Sequence, residues 1–127
     1  MLIFVDTSVV LARLFAEDRQ PRAPFWDQVL VSSRLLEYEV WTRAFARQQP
    51  DRTHIAALLD KIDMTEMSLP ALHRALEPFP VPLRTLDALH LATALFISTE
   101  SDPVRLASYD VRMLTAAHTL GIEAVEL

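Results

Sequence analysis

The stretch Leu2-Ile3-Phe4-Val5-Asp6-Thr7-Ser8-Val9-Val10-Leu11 decides the fold class. Residues 2–5 are continuously apolar and include β-branched members, which is the pattern of a short strand buried on both faces. Asp6 ends the run, and Thr7 and Ser8 are placed to cap a helix that carries the apolar signal on through Leu14 and Phe15. The polar break Glu17-Asp18-Arg19-Gln20-Pro21 stops that helix and opens a loop with a further proline, Pro24.

Working outward from this start, the rest of the chain repeats the alternation. Residues 29–32 read as a second strand, and Ser33 as the cap of a helix over residues 34–48 that Pro50 closes. A helix follows over residues 53–62, then a short extended piece near 64–69, and Pro70 opens a helix over 71–77. The segment Pro78-Phe79-Pro80-Val81-Pro82 can be neither helix nor central strand, because proline lacks the donor that both require. Thr85 then caps residues 86–98, where Leu, Ala and Phe surround the whole circumference and mark a central buried helix. Residues 104–109 read as a strand ending at Asp110, residues 111–120 as a helix stopped by Gly121, and residues 122–126 as a last strand. This order predicts an α/β fold with right-handed crossovers, its mainly parallel central sheet flanked by helices on both faces.

With 127 residues, 51% of them hydrophobic, the chain is long enough to bury roughly two-thirds of its unfolded surface, so residues 1–127 are expected to form a single domain. The absence of cysteine excludes disulfide scaffolds, zinc ribbons and thiolate catalysis. The opening apolar run has neither a basic segment before it nor a small-residue cleavage site after it, so it is not expected to be a signal peptide. No charge-free apolar stretch is long enough for a membrane span, and a cytoplasmic protein with no membrane partner is expected. The net charge of -5, from 17 acidic and 12 basic residues, weighs against a simple electrostatic nucleic-acid binder. It also fits carboxylates gathered around a cation. All the basic residues except Lys61 are Arg, which favours planar, bidentate contacts to carboxylates or phosphates.

In an open parallel sheet, ligands sit in the crevice at the carboxyl ends of the strands. Asp6 and Asp110 both follow strands, and if those strands are neighbours, both carboxylates enter one crevice. Asp87 lies in the first turn of the buried helix, where the helix dipole favours an anion. A fourth acid is Glu39 or Glu37; the helical wheel puts Glu39 with Leu35, Leu36 and Val40, and Glu37 beside Trp41 and Ala44, so Glu39 is the better candidate to face inward. Each of these taken singly has an ordinary structural role: a turn or N-cap for the aspartates, a pair with Arg43 one turn on for Glu39. Together they would repel and raise one another's pKa unless a cation or basic partner neutralised them. Oxygen-only donors point to Mg²⁺ or Mn²⁺ and away from zinc. His90, three residues after Asp87, reads as a hydrogen-bonded core residue, not a ligand.

Such a site suits attack of water on a phosphodiester. A haloacid-dehalogenase-type phosphatase fails, because the position two residues after Asp6 is Ser8, not a second Asp. A phospho-receiver fails for want of paired acids after the first strand and of a late Lys.

Four segments carry a resemblance: Val5-Asp6-Thr7-Ser8; Ser32-Ser33-Arg34-Leu35-Leu36-Glu37-Tyr38-Glu39-Val40; Arg84-Thr85-Leu86-Asp87-Ala88-Leu89-His90-Leu91-Ala92-Thr93-Ala94; and Ser108-Tyr109-Asp110 followed by Ala116-Ala117 and Gly121. Over nearly the whole chain they resemble the PIN domain in its VapC-type toxin form. The resemblance implies a PIN-like fold and a Mg²⁺- or Mn²⁺-dependent endoribonuclease, held in check by a VapB-type antitoxin and forming a homodimer. Carried over position by position, it implies an acidic quartet of Asp6, Glu39, Asp87 and Asp110, with Asp6, Asp87 and Asp110 as metal ligands and the Ser8 hydroxyl orienting Asp6 or a metal-bound water. Where some family members place a further acid a few residues after the fourth, this chain has Arg112 and Met113. Arg43, Arg84 and Arg112, with Arg13 and Arg47 beside them, are candidates for holding RNA phosphates. Phe15, Phe25, Trp26, Trp41 and Phe45 are candidates for an apolar groove that takes the antitoxin. The alternative reading is a catalytically silent PIN-like module that binds RNA or a protein partner.

Overall fold

The computed structural model describes residues 1–47 and 50–127. Four strands, β1 (Leu2–Val5), β2 (Leu30–Ser33), β3 (Ile62–Thr65) and β4 (Val104–Ala107), form one sheet in the order β3-β2-β1-β4. Every pairing is parallel. The helices are α1 (Thr7–Leu14), α2 (Leu35–Phe45), α3 (Arg52–Leu59), α4 (Leu69–Ala75), α5 (Thr85–Ile97) and α6 (Val111–Thr119), with a 3-10 turn at Ala23–Asp27. None of the described helices is long and apolar enough to cross a membrane.

The continuous apolar run at the start of the chain is explained by the two cores that β1 separates. Ile3 and Val5 face one core, with Val9 and Val10 of α1, Leu36 and Val40 of α2, and Ile55 of α3. Phe4 faces the other, with Leu91 of α5, Leu106 of β4, and Met113 and Ala117 of α6. Side chains alternate across a strand, so a central strand covered on both sides has no polar face to show. Phe4 is fully buried, a contribution of about 1.5–3 kcal/mol from this side chain alone. The expected α/β fold, with helices on both faces of a parallel sheet, is the one observed.

Several boundaries differ from the expected ones, each for a local reason. Ser33 does not cap α2; it is the last residue of β2, and its hydroxyl is used by a buried histidine instead. Thr85 is already inside α5, whose cap position is Arg84. The helix expected over residues 34–48 ends at Phe45, and residue 48 lies outside the described residues. The extended piece expected near 64–69 begins earlier, as β3, so α3 stops at Leu59. The final strand shrinks to a single parallel bridge, Leu106 with Ala124, held by hydrogen bonds from Leu106 N to Glu123 O and from Val125 N to Leu106 O. α5 is buried at His90, Leu91, Ala92, Thr93 and Ala94, but Leu86 and Phe96 near its ends are exposed.

The sheet order places the site. From β1 the chain steps outward to β2 and β3, then returns to add β4 on the other side of β1. The direction of winding therefore reverses between β1 and β4, and a crevice opens there at the carboxyl ends of the strands. Val5 pairs with Ala107, so Asp6 and Ser108 leave the sheet side by side.

Candidate active site

A cleft of about 610 Å³ lies at this reversal. Its lining includes all four acids of the expected quartet, Asp6, Glu39, Asp87 and Asp110, together with Ser8, Arg19, Arg43, Arg84 and Tyr109.

Asp6, 4% exposed, is tied by two hydroxyls to the start of α1 and to the segment that follows β4. Oδ2 accepts from Ser8 Oγ at 2.7 Å and from Ser108 Oγ at 2.8 Å. Each serine also receives a backbone N–H, Ser8 from Tyr109 and Ser108 from Asp110. The pair thus fixes the carboxylate and the loop after β4 as one unit. Asp110 is the N-cap of α6, its Oδ1 accepting from the N–H groups of Arg112 and Met113. The ordinary capping role and a place on the cleft are therefore compatible, because each uses a different oxygen.

Glu39 is held from below. Its Oε1 accepts from Thr7 Oγ1 at 2.9 Å and bonds to Nε2 of His90, which is fully buried between Glu39 and Ser33. A carboxylate only accepts, so Nε2 carries the hydrogen of that bond, while Nδ1 pairs with the Ser33 hydroxyl at 2.8 Å. His90 is thus a hydrogen-bonded core residue, as expected, and it orients the glutamate. Glu37 lies elsewhere, bonded to Arg34, which also pairs with Glu66.

A common feature emerges. Among the described residues, Asp6, Glu39 and Asp110 each have one oxygen fixed by hydrogen bonds and the other without a partner. Asp87 has neither oxygen bonded among the described residues. Burial, and then repulsion from Asp6, Asp110 and Glu39, push its pKa up to about 6. No three His, Asp or Glu side chains among the described residues already stand at metal-holding spacing. The donor set nevertheless fits a hard divalent cation: oxygens only, several of them unshared, and four carboxylates on one cleft.

A model of the PIN domain matches residues 3–118 of the chain. The chain belongs to the PIN domain family. Its relatives include Ribonuclease VapC46 of Mycobacterium tuberculosis (strain ATCC 25618 / H37Rv), 34% identical over 97% of this chain and 95% of the relative. Ribonuclease VapC47 of Mycobacterium tuberculosis (strain CDC 1551 / Oshkosh) is 29% identical over 94% of this chain and 93% of its own. Ribonuclease VapC35 of the same strain is 27% identical over 98% and 96%. The resemblance to VapC-type PIN domains seen in the sequence is thereby established.

Within this PIN domain, the cationic and aromatic candidates divide. Arg43 and Arg84 line the cleft; Arg112 does not, since it contributes its backbone N–H to Asp110 while its side chain stays exposed outside the lining. Arg47 lies over the Phe15 ring, 3.7 Å from its centroid, in a separate hollow, and Arg13 is likewise absent from the cleft. Phe25 and Trp26 are core residues in edge-to-face contact; Phe25 also lines a hollow with Pro21, Arg22 and Leu127, away from the cleft. Trp41 stacks on Phe45, which is half exposed. Sequence reasoning missed Thr7, Ser108 and Arg19. Thr7 and Ser108 stood next to quoted aspartates, but nothing local shows which distant carboxylate a hydroxyl serves. Arg19 reaches the cleft through the loop after α1, with its guanidinium 4.8 Å from the centroid of the Tyr109 ring.

Proposed function

We propose that this chain is a divalent-metal-dependent endoribonuclease, the VapC-type toxin of a toxin–antitoxin pair, and that it hydrolyses RNA phosphodiester bonds in the acidic cleft. The observation that carries the reading is the pattern of anchored carboxylates: three are pinned at one oxygen and open at the other, and they line one cleft with a fourth, Asp87, whose pKa is raised by burial and then by their charge. Family membership and the ribonuclease names of the relatives point the same way.

Asp6, Asp87 and Asp110 would hold Mg²⁺ or Mn²⁺, which when bound lowers the pKa of water and stabilises charge on the phosphate and the leaving oxygen. Ser8 and Ser108 keep Asp6 from turning, so its open oxygen is already in place before substrate arrives. Glu39, with Oε1 held by Thr7 and His90, offers Oε2 as the acceptor for the proton of the attacking water. Arg43 and Arg84 bind the phosphates on either side of the scissile bond through their planar forks. A VapB-type antitoxin partner and a homodimer belong to the same reading. An antitoxin arginine entering the acidic cleft would neutralise it economically.

The alternative, a catalytically silent binding module, has to explain why mutually repelling carboxylates are held in register by four hydroxyl and imidazole contacts when nothing is to be bound among them. Expression in a bacterial host without antitoxin tests the choice. The unaltered chain is expected to arrest growth, and Asp87→Asn, at equal protein level, to restore it. Arrest by Asp87→Asn as strong as by the unaltered chain would overturn the assignment.

A further inference from the structure

Beside the acidic cleft lies a second hollow of about 270 Å³, lined by Leu35, Tyr38, Glu39, Thr42 and Arg43 of α2 and by Leu86 of α5. Glu39, Arg43 and Leu86 line both, so the two spaces share a wall. We propose that this hollow receives an unstacked nucleobase of the RNA substrate, with the Tyr38 ring as its stacking surface. The inference rests on the ribonuclease reading and names how that site grips its substrate.

Three observations lead to it. Tyr38 is 65% exposed and Leu86 is 41% exposed, so an aromatic ring and a leucine are left in solvent next to the reaction site, in an arrangement that burial of a flat apolar partner would relieve. The hollow falls just short of the roughly 300 Å³ at which pockets for drug-sized ligands begin, which suits one base. The third observation is charge. Arg19, Arg43 and Arg84 are the arginines that line the cleft, beside four acids, so phosphate contacts, whose contribution scales with the cations presented, are few. Stacking of a base on an aromatic ring does not depend on charge, and single-stranded RNA is commonly held in this way. Arg43, on the common wall, is placed to take the phosphate that joins the base in the hollow to the bond in the cleft. The exposed Thr42 hydroxyl can meet a base edge.

The test is binding of fluorescent single-stranded ten-nucleotide RNAs, oligouridylate and oligoadenylate, to the full chain in Ca²⁺, followed by cleavage kinetics in Mn²⁺. Tyr38→Ala should weaken binding about tenfold, within the range for loss of one stacked base, with the salt dependence of binding unchanged. Tyr38→Phe should restore it, and in cleavage the loss should fall on KM and leave kcat intact. Removing single bases from the oligonucleotide should reveal one position whose loss weakens the unaltered chain as much as Tyr38→Ala does, and has no further effect on that variant. Unchanged RNA affinity in Tyr38→Ala, while the unaltered chain binds, would overturn the inference and leave the ribonuclease reading standing. A change confined to self-association in the ultracentrifuge would do the same, and would assign the face to a second copy of the chain. Failure of the unaltered chain to bind or cut any RNA would overturn both.

Discussion

Asp87 has no hydrogen bond among the described residues, so its ionisation is set by surroundings alone: burial first, then the charges of Asp6, Asp110 and Glu39. The consequence for stability has a definite sign. The folded chain holds this proton up to a pH of about 6, whereas the unfolded chain releases it near the ordinary aspartate value of 3.8. Between those values the folded state binds more protons, so this group makes stability fall as pH rises, and the loss is complete above about pH 6. Asp87→Asn keeps the shape and removes the charge. In chelator at pH 7.5 it should raise the melting temperature, by an amount equivalent to about 1 kcal/mol once solvent screening of a half-buried group is allowed for. The gain should shrink toward pH 4. Equal melting temperatures at pH 7.5 would contradict the electrostatic account. Millimolar Mn²⁺ should stabilise the unaltered chain and leave the variant little changed.

At this scale the sequence exposed the residues that sit at conspicuous points of secondary structure. Asp6 and Asp110 follow strands, and Asp87 opens an apolar helix. Glu39 and Glu37 were separable only by a helical wheel, and the separation becomes definite once Arg34 is seen to hold Glu37 and His90 to hold Glu39. The anchoring hydroxyls of Thr7 and Ser108 were not legible, because their partners lie 32 and 102 residues away along the chain.

Two helix ends show how backbone conformation directs the chain. After α6, Gly121 takes φ 88, and N–H groups of Gly121 and Ile122 return to the carbonyls of His118 and Ala117. This is a Schellman closure, and it turns the chain back toward the bridge with β4. A Cβ on Gly121 would meet nothing within 4 Å, so Gly121→Ala tests the positive φ alone and should cost about 1 kcal/mol in chemical denaturation. After α1 the same closure is made by Ala16 at φ 48, with Ala16 N to Arg13 O and Glu17 N to Ala12 O. Here an alanine stands where glycine would be relaxed, and the strain lies immediately before Glu17 and Arg19 on the cleft rim. Ala16→Gly should therefore stabilise the fold by several tenths of a kcal/mol, the reverse of the usual effect of glycine. No gain in denaturant midpoint would refute it. Gly121 announced its helix end in the sequence, whereas Ala16 did not, since only the backbone reveals a left-handed alanine. Ser33 and Thr85 misled in the opposite way: both look like caps, yet one ends a strand and the other is already helical.

Over the whole molecule, function follows from the strand order. With β4 returning beside β1, acids more than a hundred residues apart share one cleft, and α2 and α5 bring Glu39 and Asp87 to it from opposite faces of the sheet. The alternation of strands and helices was readable from hydrophobic runs, and the parallel sheet followed from it. The order of the strands was an inference, and the weak last strand was over-read because a short alternating tail resembles a strand whether or not it finds a partner. The measurement that tests the central claim most directly is cleavage of total bacterial RNA by the purified chain in Mn²⁺ or Mg²⁺, alongside chelator and Asp87→Asn. Discrete fragments that need the metal and are absent with Asp87→Asn are the predicted result. Cleavage that persists in chelator or in the variant, or none by a chain shown to be folded and metal-bound, would contradict it.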